Sequence, residues 1–336
     1  FDAIDAHVAG GGRGSFNYRF GEASRDASQY STFFYPTDIF PFTDLEQQEP
    51  MTGERDGLLT HAKQQPLPKI FYTFSSYEYW GRAASLIHTT LDGKDAPLAD
   101  NVRIYYFAGG QHGPSPFPPQ ANGTQNLTSP NDYTWAMRAL IVALDGWAKA
   151  GTPPPPSRYP HLGDGTLARP DAVAFPKIPG VSFTRAIHEA YRVDYGPQFK
   201  TKGLATLEPP KVGKAFVMYV PQVDRDGIDL GGVRLPEVAV PLATYTGWNP
   251  RDPKTGAADQ LADFAGSFIP FPKTKAERQR TNDPRLSIEE RYGDREHYLE
   301  QVKQAANELM KSGYLLGDDV PALVARAAQY WEALGK

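Results

Sequence analysis

The chain reads as an α/β protein built on a parallel sheet, and three observations predict it. Two runs with the look of buried strands, Lys69-Ile70-Phe71-Tyr72-Thr73-Phe74 and Val102-Arg103-Ile104-Tyr105-Tyr106-Phe107, are each followed by a segment of helical spacing. Strands that alternate with helices imply parallel neighbours joined by crossovers. The 31 Pro and 31 Gly exceed average usage and argue for many turns, against a helical bundle. A 40% hydrophobic share with 18 Phe and 18 Tyr in 336 residues supplies a sizeable core.

Residues 1–8 (FDAIDAHV) alternate apolar and polar side chains, which predicts a strand, and run into Ala9-Gly10-Gly11-Gly12-Arg13-Gly14-Ser15, which predicts a loop. The aromatic stretch over residues 33–42 contains Pro36 and Pro41, so it is irregular, yet its rings need cover. Residues 69–74 form the next strand, 75–80 a turn, and 82–88 a helix with Ala83, Leu86 and Ile87 on its apolar face. The second unit has a strand over 102–107, a break at Ala108-Gly109-Gly110-Gln111-His112-Gly113, and a helix from about Asp132 to Ala150.

The run Pro153-Pro154-Pro155-Pro156 is a stiff connector and predicts a boundary. The expected division is an α/β core over 1–152, a Pro-rich connector over 153–175, a β-rich subdomain over 176–272 and C-terminal helices over 273–336. The subdomain rests on short β-type runs at 215–220 and 238–240 between turns, with Asp224 to Asp229 a hairpin turn. Among the terminal helices, Asp294 caps one carrying Tyr298, Val302, Ala306 and Leu309, which stops near Gly313. Pro321 opens another carrying Leu323, Val324, Ala327, Ala328 and Trp331.

A net charge of -4 supplies no basic field for nucleic acid, and no apolar run approaches the roughly 18 residues of a membrane helix. Neither partner is expected. Zero Cys excludes disulfides, thiolate metal sites and cysteine nucleophiles, and leaves the redox compartment open. The seven His are scattered without the spacing of a zinc site, so no metal and no cofactor is expected.

In an open parallel sheet, ligands bind beyond the carboxyl ends of the strands. Glu78 follows one strand end and His112 the next. A carboxylate and an imidazole so placed supply two members of an acyl-transfer triad, the acid fixing the tautomer of the base. Asp95, in the loop before the second strand, is the rival acid. Flanking glycines at 109, 110 and 113 let His112 sit on an exposed, mobile loop. The Gly-rich loop after Val8 lacks the G-x-G-x-x-G pattern of a phosphate cradle, so it is expected to line the crevice and bring His7, Arg13 or Ser15 to substrate. Tyr77, beside Glu78, is the expected aromatic contact.

The segments HVAGGGRGSFNYRF from His7, FFYPTDIFPFTD from Phe33, SSYEYWGRAASLIHT from Ser75, YYFAGGQHG from Tyr105, RLPEVAVPLATYTGWNPR from Arg234 and GSFIPF from Gly266 together resemble a bacterial α/β-hydrolase-domain family regarded as esterases. The resemblance covers nearly the whole chain. It implies an α/β-hydrolase fold, of which this chain is the C-terminal portion, with Glu78 as triad acid, His112 as triad base and the nucleophile elbow upstream of Phe1. No G-x-S-x-G elbow occurs in these residues, since Ser15 lies in a loop that no helix follows. Three readings stay open: an N-terminal half outside this sequence, a homologue without activity, or a replacement nucleophile inside the chain.

The function expected is a carboxylic-ester hydrolase with a Ser-Glu-His triad whose Ser lies upstream. The alternative is a catalytically inactive binding or scaffolding protein on the same fold. Its expected partners are a small-molecule ester and an N-terminal half, or a second chain, that completes the sheet before Phe1. A secreted or periplasmic location follows if a signal peptide precedes that half.

Overall fold

The computed structural model describes residues 1–12, 38–63, 66–184 and 186–335. Arg13, Ser15 and the start of the aromatic stretch lie outside the described residues. In chain order come β1 (Ala3–His7), the small antiparallel pair β2 (Gln47–Gln48) and β3 (Arg55–Asp56), then β4 (Lys69–Ser75), the five-residue helix α1 (Tyr77–Gly81) and β5 (Val102–Phe107). β1, β4 and β5 form a parallel sheet in the order β1-β4-β5. Its register sets His7 opposite Thr73, and Ser75 opposite Phe107. The carboxyl ends of all three strands therefore share one rim.

Both faces of the sheet are covered, as the near-continuous apolar runs of β4 and β5 require. Phe71, Tyr105 and Phe107 pack with Tyr133 and against Leu140, Leu144 and Trp147 of helix α2 (Thr134–Ala150). Phe74, Ile104 and Tyr106 pack on the other side with Tyr79, Trp80 and Trp248. The strand β6 (Leu127–Thr128) lies just before α2 in sequence.

Two expected elements take another form. The helix expected over 82–88 is split: α1 begins directly at the end of β4, and a 3₁₀ turn covers Ala84–Ile87. Between them Ala83 is left-handed at φ 52°, and the Arg82 carbonyl accepts from Gly11 N–H at 2.7 Å. The Gly-rich loop thus captures the carbonyl that would have continued the helix.

The β run expected at 238–240 is instead the short helix α4, which follows β7 (Leu167–Ala168), β8 (Tyr191–Asp194), α3 (Phe199–Lys202), β9 (Lys211–Ala215) and β10 (Val220–Pro221), and spans Pro236–Ala239. Pro236 at its start has the backbone angle a helix needs, which overrides the β preference of its valines. The run expected at 215–220 likewise divides between β9 and β10, because Phe216 N–H turns to the Ala190 carbonyl and Tyr219 N–H to Ser85 Oγ.

The proline run is fastened to the sheet. Tyr105 and Tyr314 donate their hydroxyls to the carbonyls of Pro155 and Pro156, both at 2.7 Å. Arg158 then exchanges backbone hydrogen bonds with Ile104 and Tyr106 alongside β5. The sheet formed by β6 with β11 (Ala243–Tyr245) and β12 (Ser267–Pro270) joins residues from both sides of that run. One buried cluster contains Phe74 and Ile104 together with Val220, Tyr245 and Phe268.

The chain closes with α5 (Lys275–Thr281), α6 (Ile288–Tyr292), α7 (Arg295–Lys311) and α8 (Val320–Leu334). Asp294 caps α7 by accepting from His297 N–H at 2.8 Å. The buried faces of α7 and α8 meet where Tyr298 stacks on Trp331 at 5.2 Å.

Candidate active site

Glu78 is placed by α1, which starts two residues past β4 and sets this side chain in its first turn. Glu78 has no exposed surface. Its Oε2 accepts from Ser75 N–H at 2.8 Å and from Ser75 Oγ at 2.6 Å, while Oε1 meets His112 Nδ1 at 2.7 Å. The approach needs a glycine on the facing loop: a Cβ on Gly247 would lie 2.3 Å from the Ser76 carbonyl carbon.

His112 sits beyond β5 on a loop that is pinned along its length. Gly109, at φ 65°, donates its N–H to the buried Asp229 at 2.7 Å, and Tyr106 donates its hydroxyl to the same oxygen at 2.6 Å. Gln111 accepts from Ser129 N–H and Gly266 N–H and donates to Gly113 O and Ser115 Oγ. His112 N–H donates to the Phe264 carbonyl at 3.3 Å, and the Tyr133 hydroxyl donates to the His112 carbonyl. The mobile loop expected here is thus corrected: Gly109 and Gly110 serve close packing, since a Cβ on them would lie 2.6 Å from Tyr245 Cβ and 3.1 Å from the Tyr133 ring, whereas a Cβ on Gly113 would meet nothing within 4 Å.

The two imidazole nitrogens are differentiated. Glu78 Oε1 faces Nδ1, so a carboxylate there holds the proton on Nδ1 and leaves the Nε2 lone pair as base. The ring is 31% exposed whereas Glu78 is sealed, so the pair has one wet side and one dry side. Phe264 packs on the ring at 4.3 Å from a left-handed backbone at φ 63°, and Tyr77 meets its edge at 5.9 Å. Nε2 has no hydrogen-bond partner among the described residues, which leaves it available to a nucleophile or substrate.

The other predicted residues divide. His7, at the carboxyl end of β1, is exposed, and its Nδ1 lies 2.9 Å from Thr73 Oγ1. Desolvation on its inner side lowers its pKa. Tyr77 is fully buried, with its phenol pushed up to about 12 by burial and its ring over Gly81, where a Cβ would come within 2.4 Å. Tyr77 is therefore a wall behind His112, not the substrate contact expected. Arg13 and Ser15 lie outside the described residues. Asp95 accepts from Leu162 N–H and Gly163 N–H at 2.8 Å and faces His161, so its carboxylate is turned away from the acid position.

Gly10 and Gly11 of the loop after Val8 also have a packing role, because a Cβ on Gly10 would lie 2.4 Å from Arg82 Cβ and one on Gly11 2.7 Å from the Ala83 carbonyl. Ser75, Tyr133 and Phe264 hold the pair and were not read from the sequence. The Ser doublet at the end of β4 is the one sequence signal among them, since the other two reach His112 through its backbone or its ring.

A parallel sheet with a carboxylate after one strand and its imidazole partner after the next is the arrangement of an α/β-hydrolase fold. The family model described as an alpha/beta hydrolase domain matches residues 4–325, and the chain belongs to that family. No curated protein and no solved structure matched the chain.

Proposed function

We propose that the protein is a carboxylic-ester hydrolase using a Ser-Glu-His triad, with His112 as base and Glu78 as the acid that orients it. The observation that carries this reading is the 2.7 Å contact of His112 Nδ1 with a carboxylate that is fully buried and held at its other oxygen by Ser75. The serine lies outside the described residues, on a strand N-terminal to Phe1 that runs beside β1. Among the described residues, β1 pairs only with β4, and a parallel neighbour on its other side would end at the same rim. Ser15 is the candidate within the chain itself.

In the reaction, the serine Oγ attacks the ester carbonyl while His112 Nε2 takes its proton. Glu78 stays ionised and stabilises the imidazolium, which then protonates the leaving alcohol. Water attacks the acyl-enzyme with the same base, and the proton returns to serine as the acid departs.

The test compares turnover of p-nitrophenyl acetate by the 336-residue chain and by the same chain extended upstream through an elbow serine. The extended chain is expected to be active, and His112→Ala to lower its kcat/KM by several orders of magnitude, because triad members act as a unit. An unchanged rate in His112→Ala would overturn the triad. Full activity of the unextended chain, lost in Ser15→Ala, would move the nucleophile to Ser15. An inactive extended chain would favour the scaffolding alternative.

A further inference from the structure

A second histidine with a fixed tautomer stands at the same rim. Thr73 Oγ1 donates to Asp5 Oδ1 at 3.0 Å, and a hydroxyl has only one proton to give. Its contact with His7 Nδ1 at 2.9 Å must then be one in which Nδ1–H donates to the Thr73 oxygen. The chain Asp5, Thr73, His7 is set by the sheet itself: Asp5 and His7 are two apart on β1 and so share a face, and Thr73 is the register partner of His7 on β4. The result is an exposed imidazole whose Nε2 carries a lone pair and no proton.

Tyr133 links the two histidines. Its ring meets His7 edge-on at 5.9 Å, and its hydroxyl holds the His112 backbone carbonyl. His7 is also within electrostatic reach of both Glu78 and His112. Desolvation favours its neutral form and outweighs the carboxylates of Asp5 and Glu78, which favour the protonated one, and a positive charge on His112 during turnover disfavours protonation further. A neutral acceptor at this place suits an uncharged donor better than an anion.

We propose that His7 is a specificity-determining residue that accepts a hydrogen bond through Nε2 from a hydroxyl group on the substrate, so that the preferred substrate class is a hydroxy ester. This rests on the ester-hydrolase reading for the reaction but not for the binding site. Thr73 and Asp5 act through His7 as positioning residues.

The experiment has two arms. Nitrogen-15 spectra of the imidazoles of the 336-residue chain are recorded while 4-hydroxypentan-2-one or pentan-2-one, non-hydrolysable stand-ins for the ester, is added. The His7 signals are assigned by their loss in His7→Phe. His7 Nε2 is expected to be of the acceptor type and to shift with the hydroxy ketone alone. Thr73→Val is expected to bring a mixture of tautomers and to weaken that response, a readout that a merely structural threonine would not move.

In the kinetic arm, run on the chain extended upstream through an elbow serine, the preference in kcat/KM for p-nitrophenyl 3-hydroxybutyrate over p-nitrophenyl butyrate falls roughly tenfold in His7→Phe, the worth of one hydrogen bond. Equal responses of His7 Nε2 to the two ketones overturn the proposal whatever the esterase result. So does a preference that survives in His7→Phe. If that variant fails to fold, His7→Gln supplies the assignment, and the spectra of the unmodified chain and of Thr73→Val still decide. A selective response of Nε2 without ester turnover refutes the hydrolase reading and leaves the His7 site standing.

Discussion

Glu78 accepts from Ser75 N–H, Ser75 Oγ and His112 Nδ1 with no exposed surface, so its ionised form is compensated by hydrogen bonds in place of water. Replacing the carboxylate with an amide keeps the shape but puts an N–H donor where an acceptor is needed. Glu78→Gln is expected to keep the fold and to lower kcat about 10³- to 10⁴-fold by favouring the wrong tautomer of His112. Stopped-flow ester turnover with circular dichroism as the fold control checks it, and a loss under tenfold would remove Glu78 from the acid role. Ser75→Ala removes one of two donors to Oε2 and should cost nearer tenfold. At this scale the sequence was legible where a side chain is fixed by its distance from a strand end, as for Glu78 and His112. It was not legible where a partner arrives from elsewhere: Phe264 and Tyr133 reach His112 through contacts that no local spacing encodes.

The short helix α1 shows what an element contributes beyond its residues. It begins at the strand end because Gly247 lets a facing loop press on Ser76, and it stops after five residues because Gly11 takes the Arg82 carbonyl. The apolar period of Ala83, Leu86 and Ile87 identified buried positions correctly, yet it concealed the break. A left-handed Ala83 is intelligible only once the Gly-rich loop is known to lie against it. Gly247→Ala would drive a Cβ into backbone that cannot yield, so it is expected to destabilise the fold by about 1–3 kcal/mol and to lower esterase activity by displacing Glu78. Gly53 is the control, since a Cβ there meets nothing within 4 Å and only its φ of 74° is strained. Thermal unfolding and kcat/KM measured on both variants test this, and equal effects at the two positions would deny α1 its dependence on Gly247.

Across the whole molecule, the C-terminal helices are tied to the end of α2 that lies nearest the site. Arg326 on α8 pairs with Asp132 at 2.9 Å and donates to the Pro130 carbonyl at 2.6 Å, and the adjacent Tyr133 holds His112. The helical spacing of the chain from Asp294 onward was readable, but its attachment to α2 was not, because it depends on one long arginine reaching across from a distant helix. Glu237 closes this junction: it accepts Asp132 N–H at 2.9 Å, faces Arg326 at 3.9 Å and is pushed up to about 7 by burial. A carboxyl whose pKa is higher in the folded chain than in the unfolded one binds its proton more tightly when folded. Its contribution to stability is therefore fully present below its ordinary value near 4.5 and is lost as pH rises through about 7. At about 1.4 kcal/mol per pH unit, the loss is on the order of 3 kcal/mol. Glu237→Gln cannot ionise and keeps an oxygen for Asp132 N–H, so the melting temperature of the parent chain relative to this variant should fall between pH 5 and about pH 7 and level off by pH 8. Calorimetry of both proteins at unit steps across that range checks the sign. A difference that stays level would mean that Arg326 holds Glu237 ionised throughout, and would place the titration elsewhere.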